Sequence, residues 1–203
     1  HYLATEYAAG HTLLEYLDLK PSLLELLPIL EEINQVLKFI YRRGYLYRDL
    51  KPQNVLITDA NNVILIDYGL CKSISDAANH EDTVVDGSAH YLPPERMLAI
   101  GEGIHSEIYS LGMLFYHMLS GQTYYNGSTY QEVAEQHVNG DYIEDLSEYM
   151  PDVPIDLLDL LKRMTQKETM LRCHSFDEIS ICLAEVKSLL QKEMEESSEG
   201  YMR

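Results

Sequence analysis

Between residues 22 and 43 the apolar side chains Leu23, Leu26, Leu27, Leu30, Ile33, Val36, Leu37 and Ile40 recur at intervals of three and four. That spacing puts them on one face of a long amphipathic helix, and the rest of the chain must supply a surface for that face to bury against. Pro28 falls inside the pattern and has to be absorbed by the first turns. Arg42 and Arg43 suit the negative end of such a helix, and Gly44 suits a left-handed cap after it.

Around this helix the remaining pattern is mostly helical. Thr12 with Glu15 three residues on has capping-box spacing, so a short helix starts there. Val55-Leu56-Ile57 and Val63-Ile64-Leu65-Ile66 are strand-like and flank Asp59-Ala60-Asn61-Asn62, a turn composition that makes them a hairpin. Residues 2–7 form a β-prone stretch that ends in the small residues Ala8-Ala9-Gly10. Residues 67–95 are polar, lack periodicity and contain Gly69, Gly87 and Pro93-Pro94; ordered loops of that length in compact domains usually carry function. Helices are expected over residues 94–100, 106–120, 129–138, 155–165 and 176–192, with the strongly apolar 106–120 segment central. Residues 193–203 read as a polar, disordered tail without a pattern, and Tyr124-Tyr125-Asn126-Gly127 as an ordinary loop. The fold class is therefore mainly α, a helical bundle with a small β-hairpin.

The formal charge of −18 is spread along the chain, which argues against nucleic acid and anionic membrane as partners, since both need a basic surface. A solvated acidic surface is the plain account, and a preference for basic substrates the second. No apolar run approaches the roughly 20 residues that span a bilayer. Cys71, Cys173 and Cys182 have neither metal-site nor disulfide-frame spacing and read as reduced thiols of a cytoplasmic domain. The histidines from His11 to His174 likewise share no metal-ligand spacing.

The chemistry is concentrated in Tyr47-Arg48-Asp49-Leu50-Lys51-Pro52-Gln53-Asn54, followed after the hairpin by Asp67-Tyr68-Gly69 and then by Pro93-Pro94-Glu95. A carboxylate, an ammonium and a carboxamide share one loop, and a second carboxylate arrives at the far end of the hairpin. Phosphoryl transfer needs such a set: hard oxygen ligands for Mg²⁺, a group to orient the attacking hydroxyl, and positive charge for the transition state.

In order and spacing these segments resemble the H-R-D-L-K-x-x-N, D-F-G and A-P-E motifs of the eukaryotic-like protein kinase family, in its bacterial serine/threonine form. The resemblance runs from residue 1 to about residue 190. It implies the C-terminal lobe of that fold, with residues 1–10 as last small-lobe strand and hinge, 11–192 as the lobe and 193–203 as tail. It further implies ATP and Mg²⁺ as cofactors and a protein substrate. Asp49 would be the catalytic base, Lys51 the γ-phosphate partner, and Asn54 and Asp67 the metal ligands. Gly69 would let Asp67 turn inward, and Ser88 would hydrogen-bond Asp49 and Lys51. Glu95 would pair with Arg172. The Glu6 carbonyl and Ala8 amide would meet the adenine edge next to Thr5, with Leu56 as the pocket floor. Thr83 would be a phosphorylation site whose charge Arg48 could meet.

Three residues depart from the family pattern. Tyr47 replaces histidine, Tyr68 replaces phenylalanine, and Glu107 replaces the aspartate that anchors the catalytic-loop backbone. The extra methylene of Glu107 could shift that loop, and catalysis responds to displacements near 1 Å. No glycine-rich phosphate loop or strand lysine precedes residue 2. The N-terminal β lobe is accordingly expected to be absent, the chain alone to be inactive, and residues 2–7 to offer an edge for self-association. Two functions stay open: a serine/threonine kinase whose other lobe lies elsewhere, or a pseudokinase or isolated lobe that docks proteins.

Overall fold

The structure, a computed structural model, describes residues 7–79, 87–143 and 145–201. Strand β1 (Gly10–Thr12) leads directly into helix α1 (Leu13–Leu17), where Thr12 Oγ1 accepts from Glu15 N–H and Glu15 caps Thr12 in return. At the start of helix α2 (Leu23–Arg42) the Glu25 carboxylate accepts from both the Ser22 N–H and the Ser22 hydroxyl at 2.7 Å, while Glu25 N–H donates to the Ser22 carbonyl at 3.0 Å. Pro28 sits on its exposed face, and the helix continues unbroken through it. Gly44, just past its end, has φ 86°, the left-handed cap.

Strand β2 (Tyr45–Leu46) follows, then β3 (Val55–Thr58) and β4 (Val63–Leu65), an antiparallel hairpin with Leu56 opposite Ile64. Asn61 turns the hairpin at φ 60°, a conformation asparagine tolerates. β1 pairs antiparallel with the other side of β3, giving a three-stranded sheet in the order β1-β3-β4. Gly10 is required there: a Cβ would lie 2.2 Å from the Ile57 carbonyl oxygen. The sequence pattern had marked Ala8-Ala9-Gly10 as a break; cross-strand pairing with β3 makes Gly10 the start of a strand instead.

The 67–95 loop also holds more structure than its polarity suggests. Strand β5 (Lys72–Ser73) pairs with β2, and helix α3 (Ile74–Ala78) follows, capped by Ser73 on the Asp76 amide. Helix α4 (Pro94–Met97) leads to α5 (Ile104–Ser120), which ends at Gly121 with φ 72°. Then come α6 (Tyr130–Asn139), α7 (Ile155–Met164) and α8 (Phe176–Tyr201). The helix reaches Tyr201, so the tail expected to be disordered from residue 193 on is helical up to there. Glu, Lys and Met are strong helix formers, and propensity carries the helix past the point where the apolar stripe stops.

The core lies around α5, whose Ile108, Leu111, Leu114 and Phe115 are fully buried. Gly112 lets α7 come close, since a Cβ there would stand 2.8 Å from Met164 Cβ. The apolar face of α2 packs on α8, and at that contact Asn34 Nδ2 donates to the Phe176 carbonyl at 2.9 Å. Tyr124 and Tyr125 are buried in an edge-to-face chain with Tyr116 and His137, and so are core rather than loop. All three cysteines are free thiols. No helix among the described residues is long and apolar enough to cross a membrane.

Candidate active site

The loop between β2 and β3 carries the candidate catalytic residues. Its backbone passes through Arg48 at φ 71°, a left-handed conformation for a non-glycine residue, at a cost on the order of 1 kcal/mol or more. A single 3₁₀ turn, Pro52–Asn54, then returns the chain so that Asn54 faces Asp49. Asn54 Nδ2 donates to the Asp49 carbonyl at 2.9 Å and to Asp49 Oδ2 at 2.7 Å. Lys51 Nζ reaches the same Oδ2 at 2.7 Å. Both donors converge on one oxygen of a buried carboxylate, and among the described residues none donates to Oδ1.

Asp67 is brought beside this loop by the hairpin, because Ile66 N donates to the Asn54 carbonyl at 2.9 Å. It too is held left-handed, at φ 63°, with an exposed carboxylate that accepts Gly69 N–H at 3.1 Å. A Cβ on residue 69 would stand 3.1 Å from that same oxygen, which gives Gly69 its reason here. Tyr47 is fully buried; its hydroxyl donates to the Ile66 carbonyl, and its ring meets Tyr68 edge-on at 5.4 Å. Tyr68 itself is 53% exposed, so it covers the outside of Tyr47 instead of filling an apolar stack. Burial, with help from the Asp49 charge, pushes the Tyr47 hydroxyl far above its usual range, so it stays a donor.

Three buried carboxylates anchor this part of the molecule: Glu107 and Glu102 bond to the loop itself, and Glu95 to Arg172. Glu107, near the start of α5, accepts Tyr47 N–H at 3.1 Å and Arg48 N–H at 3.0 Å, one on each oxygen. The longer side chain therefore reaches both amides, and the expected displacement by its extra methylene is not needed. Burial pushes the Glu107 carboxyl up, opposed by the Arg96 charge and by the two amides. Glu95 forms a two-pronged pair with Arg172, Nη1 to Oε1 at 2.6 Å and Nη2 to Oε2 at 2.9 Å. Burial alone would raise the Glu95 carboxyl, but Arg172 outweighs it and holds the group below the usual range. Ser106 Oγ adds a bond to Glu95 at 2.8 Å, and Arg172 also holds the His105 carbonyl at 2.9 Å.

The third carboxylate, Glu102, has no counterpart in the sequence reading. It lies between Arg48 and Arg96, accepting from Arg48 Nη2 and from Arg96 Nε, each at 2.7 Å. Nothing in its local sequence, a short irregular stretch with Gly101 and Gly103 on either side, distinguishes it from a solvated loop glutamate. Only the proximity of two arginines from other segments reveals it.

Of the remaining expected site residues, Leu56 is half-buried at the middle of β3, and Ala8 is partly buried ahead of β1. The Ser88 hydroxyl is not among the hydrogen-bond partners of Asp49 or Lys51: those two bond to each other, and Ser88 instead offers its carbonyl to the Tyr91 amide at 3.1 Å. Thr5, Glu6 and Thr83 lie outside the described residues, as does nearly all of the 2–7 edge. No cluster of three or more His, Cys, Asp or Glu side chains gathers among the described residues. The donor set at the loop is smaller and harder, the Asn54 carboxamide and the exposed Asp67 carboxylate. That suits Mg²⁺, which binds through one or two protein oxygens and completes its shell with water and phosphate.

Comparison with known proteins agrees with this geometry. A family model described as protein kinase domain matches residues 1–182. The chain is 29% identical over 190 residues to the probable serine/threonine-protein kinase PknB of Lactococcus lactis, covering 93% of this chain and 30% of that protein. A probable serine/threonine-protein kinase of Clostridium acetobutylicum is 30% identical over 190 residues, covering 93% of this chain and 29% of that protein. The serine/threonine-protein kinase PknB of Mycobacterium tuberculosis is 32% identical over 146 residues, covering 70% of this chain and 23% of that protein. The chain thus spans under a third of the length of these relatives. With a family match over nearly all its length and the loop, hairpin and buried anchors in one site, the chain belongs to the protein kinase family.

Proposed function

We propose that the protein of which this chain is part transfers the γ-phosphate of ATP to serine or threonine of protein substrates. The observation that carries the reading is the Asp49 carboxylate: Lys51 and Asn54 both occupy Oδ2, and this orients the group while Oδ1 is left to accept the proton of an attacking hydroxyl. Lys51, two places after Asp49, then stands where positive charge can meet the transferred phosphoryl group. Asn54 and Asp67 would hold Mg²⁺, which when bound offsets negative charge on the phosphate oxygens. Ala8 and Leu56 would border the adenine, with Glu6 as its further hinge contact. Free Cys71, Cys173 and Cys182 fit a reducing, cytoplasmic setting for this segment.

The alternative of a docking module without catalysis drew on Glu107 and on the expected absence of the small lobe. The Glu107 carboxylate spans the two loop amides at 3.0 and 3.1 Å, so it gives that alternative no support. The test is transfer of radiolabelled phosphate from ATP to a protein substrate by the intact kinase, followed by phosphoamino-acid analysis. Label on serine or threonine that vanishes in Asp49→Asn supports the reading; no transfer by the wild type, or label on tyrosine alone, overturns it.

A further inference from the structure

Arg48 is held at every polar point of its peptide and along its side chain. Glu107 takes its N–H at 3.0 Å, and Arg96 Nη1 donates to its carbonyl at 2.6 Å. Its guanidinium gives Nε and Nη2 to Glu102 Oε1 at 3.1 and 2.7 Å, and Nη1 to the Leu70 carbonyl at 3.4 Å. On the other side of the same carboxylate, Arg96 Nε and Nη2 stand 2.7 and 2.6 Å from Glu102 Oε2. The three side chains are 10%, 4% and 6% exposed for Arg48, Arg96 and Glu102.

Two guanidiniums buried against one carboxylate repel each other, and only an anion between them makes the arrangement favourable. Glu102 is placed by backbone as well: its N–H donates to the Ala77 carbonyl at 3.1 Å, so α3 sets its position. Through Arg48 and Arg96 it joins the strained catalytic loop, the residue after Asp67-Tyr68-Gly69, and the helix that carries Glu95.

We propose that Glu102 is a positioning residue for the catalytic loop, an internal anion that makes the loop's arrangement independent of phosphorylation. The charge that the sequence reading sought for Arg48 in a phosphate on the 67–95 segment is supplied by this carboxylate. The inference rests on the kinase reading of the same site.

The experiment uses the intact kinase, treated with a phosphatase and verified free of phosphate by mass spectrometry. Wild type is expected to keep its kcat within about twofold of the phosphorylated form. Glu102→Gln, close to isosteric, and Glu102→Ala should lower kcat by about 10- to 100-fold with KM for ATP within about twofold, since loss of geometry near 1 Å acts on the transition state. Glu102→Asp should recover part of the loss, and added acetate should do so for Glu102→Ala only. Hydrogen exchange of the 46–54 amides gives a readout separate from activity, with protection lost in Glu102→Gln at unchanged melting of α5 and α7. Loss of wild-type activity on dephosphorylation, or unchanged kcat and exchange in both variants, overturns the proposal. Absence of transfer by phosphorylated and unphosphorylated wild type alike would defeat the kinase reading, and the exchange data alone would then decide the role of Glu102.

Discussion

The rim of the molecule that carries the catalytic loop and the helical base beneath it are built on opposite principles. At the rim, two non-glycine residues, Arg48 and Asp67, sit at positive φ, and Asp67 and Tyr68 face solvent. In the base, α5 buries Ile108, Tyr109, Leu111, Leu114 and Phe115 completely, with no residue from 104 to 120 at positive φ. Strained conformations persist only where the surroundings over-determine them, and at Arg48 they do: Glu107 takes its amide and Glu102 its guanidinium. The rim thus exposes the Asp67 carboxylate, and the base holds the neighbouring loop through Glu107.

If that division holds, the two regions should fail differently. Asp49→Asn should lower phosphoryl transfer by about 10²- to 10⁴-fold, the range of general-base catalysis, while leaving the thermal midpoint within a degree or two. Asp67→Asn should behave the same way, since asparagine tolerates the left-handed conformation. A large fall in the melting midpoint of either variant would break the comparison by showing that the rim carries stability.

In the base, Glu95→Ala and Arg172→Ala should each cost about 3 to 5 kcal/mol, because either leaves a buried charge without its partner. The double variant should cost much less than the sum, as residues in direct contact couple strongly. Urea unfolding of the three variants decides it, and additive losses would mean that the pair does not act as a unit.

A smaller effect is expected from pH. Burial, with the charges of His90 and Lys167 acting the same way, drives the His137 imidazole down to about 3, and burial also lowers His117. The unfolded chain binds protons to these groups near pH 6.5 while the folded one does not, so stability is complete above that pH and falls as pH is lowered toward 3. Glu95, held low, adds its own loss only below the ordinary glutamate range. Between pH 6.5 and 5 the decline, at most about 1.4 kcal/mol per pH unit per histidine, should flatten in His137→Gln. An unchanged slope would assign the acid sensitivity to the rim.

The smallest expected change sharpens the boundary between the regions. Tyr47→Phe removes the hydroxyl bond to the Ile66 carbonyl, next to Asp67, and should cost about 1 kcal/mol in stability. Transfer should fall only a few fold, measured with the same substrate.

Much of this molecule was legible without coordinates because it depends on neighbours in the chain. The face of α2, the caps at Thr12 and Gly44, the hairpin turned at Asn61 and the central α5 follow from periodicity and turn chemistry within a few residues. The extension of α8 through residues 193–201 was legible too, in helix propensity, but not in the apolar stripe used to find its end. The convergence of Lys51 and Asn54 on Asp49 was foreshadowed by their spacing in one loop. Tertiary structure alone decided the rest. Strands of two or three residues such as β1, β2 and β5 show no period and exist because a distant partner completes their hydrogen bonds. Tyr124 and Tyr125 are core because α5 and α6 enclose them, and the Ser88 hydroxyl is not among the hydrogen-bond partners of Asp49, which are Lys51 and Asn54. Glu102 is the clearest case: a glutamate between two glycines looks solvated in one dimension, and it becomes a buried anchor only when folding brings Arg48 and Arg96 to its two oxygens, since a charge can leave water only where its counter-charges are already waiting.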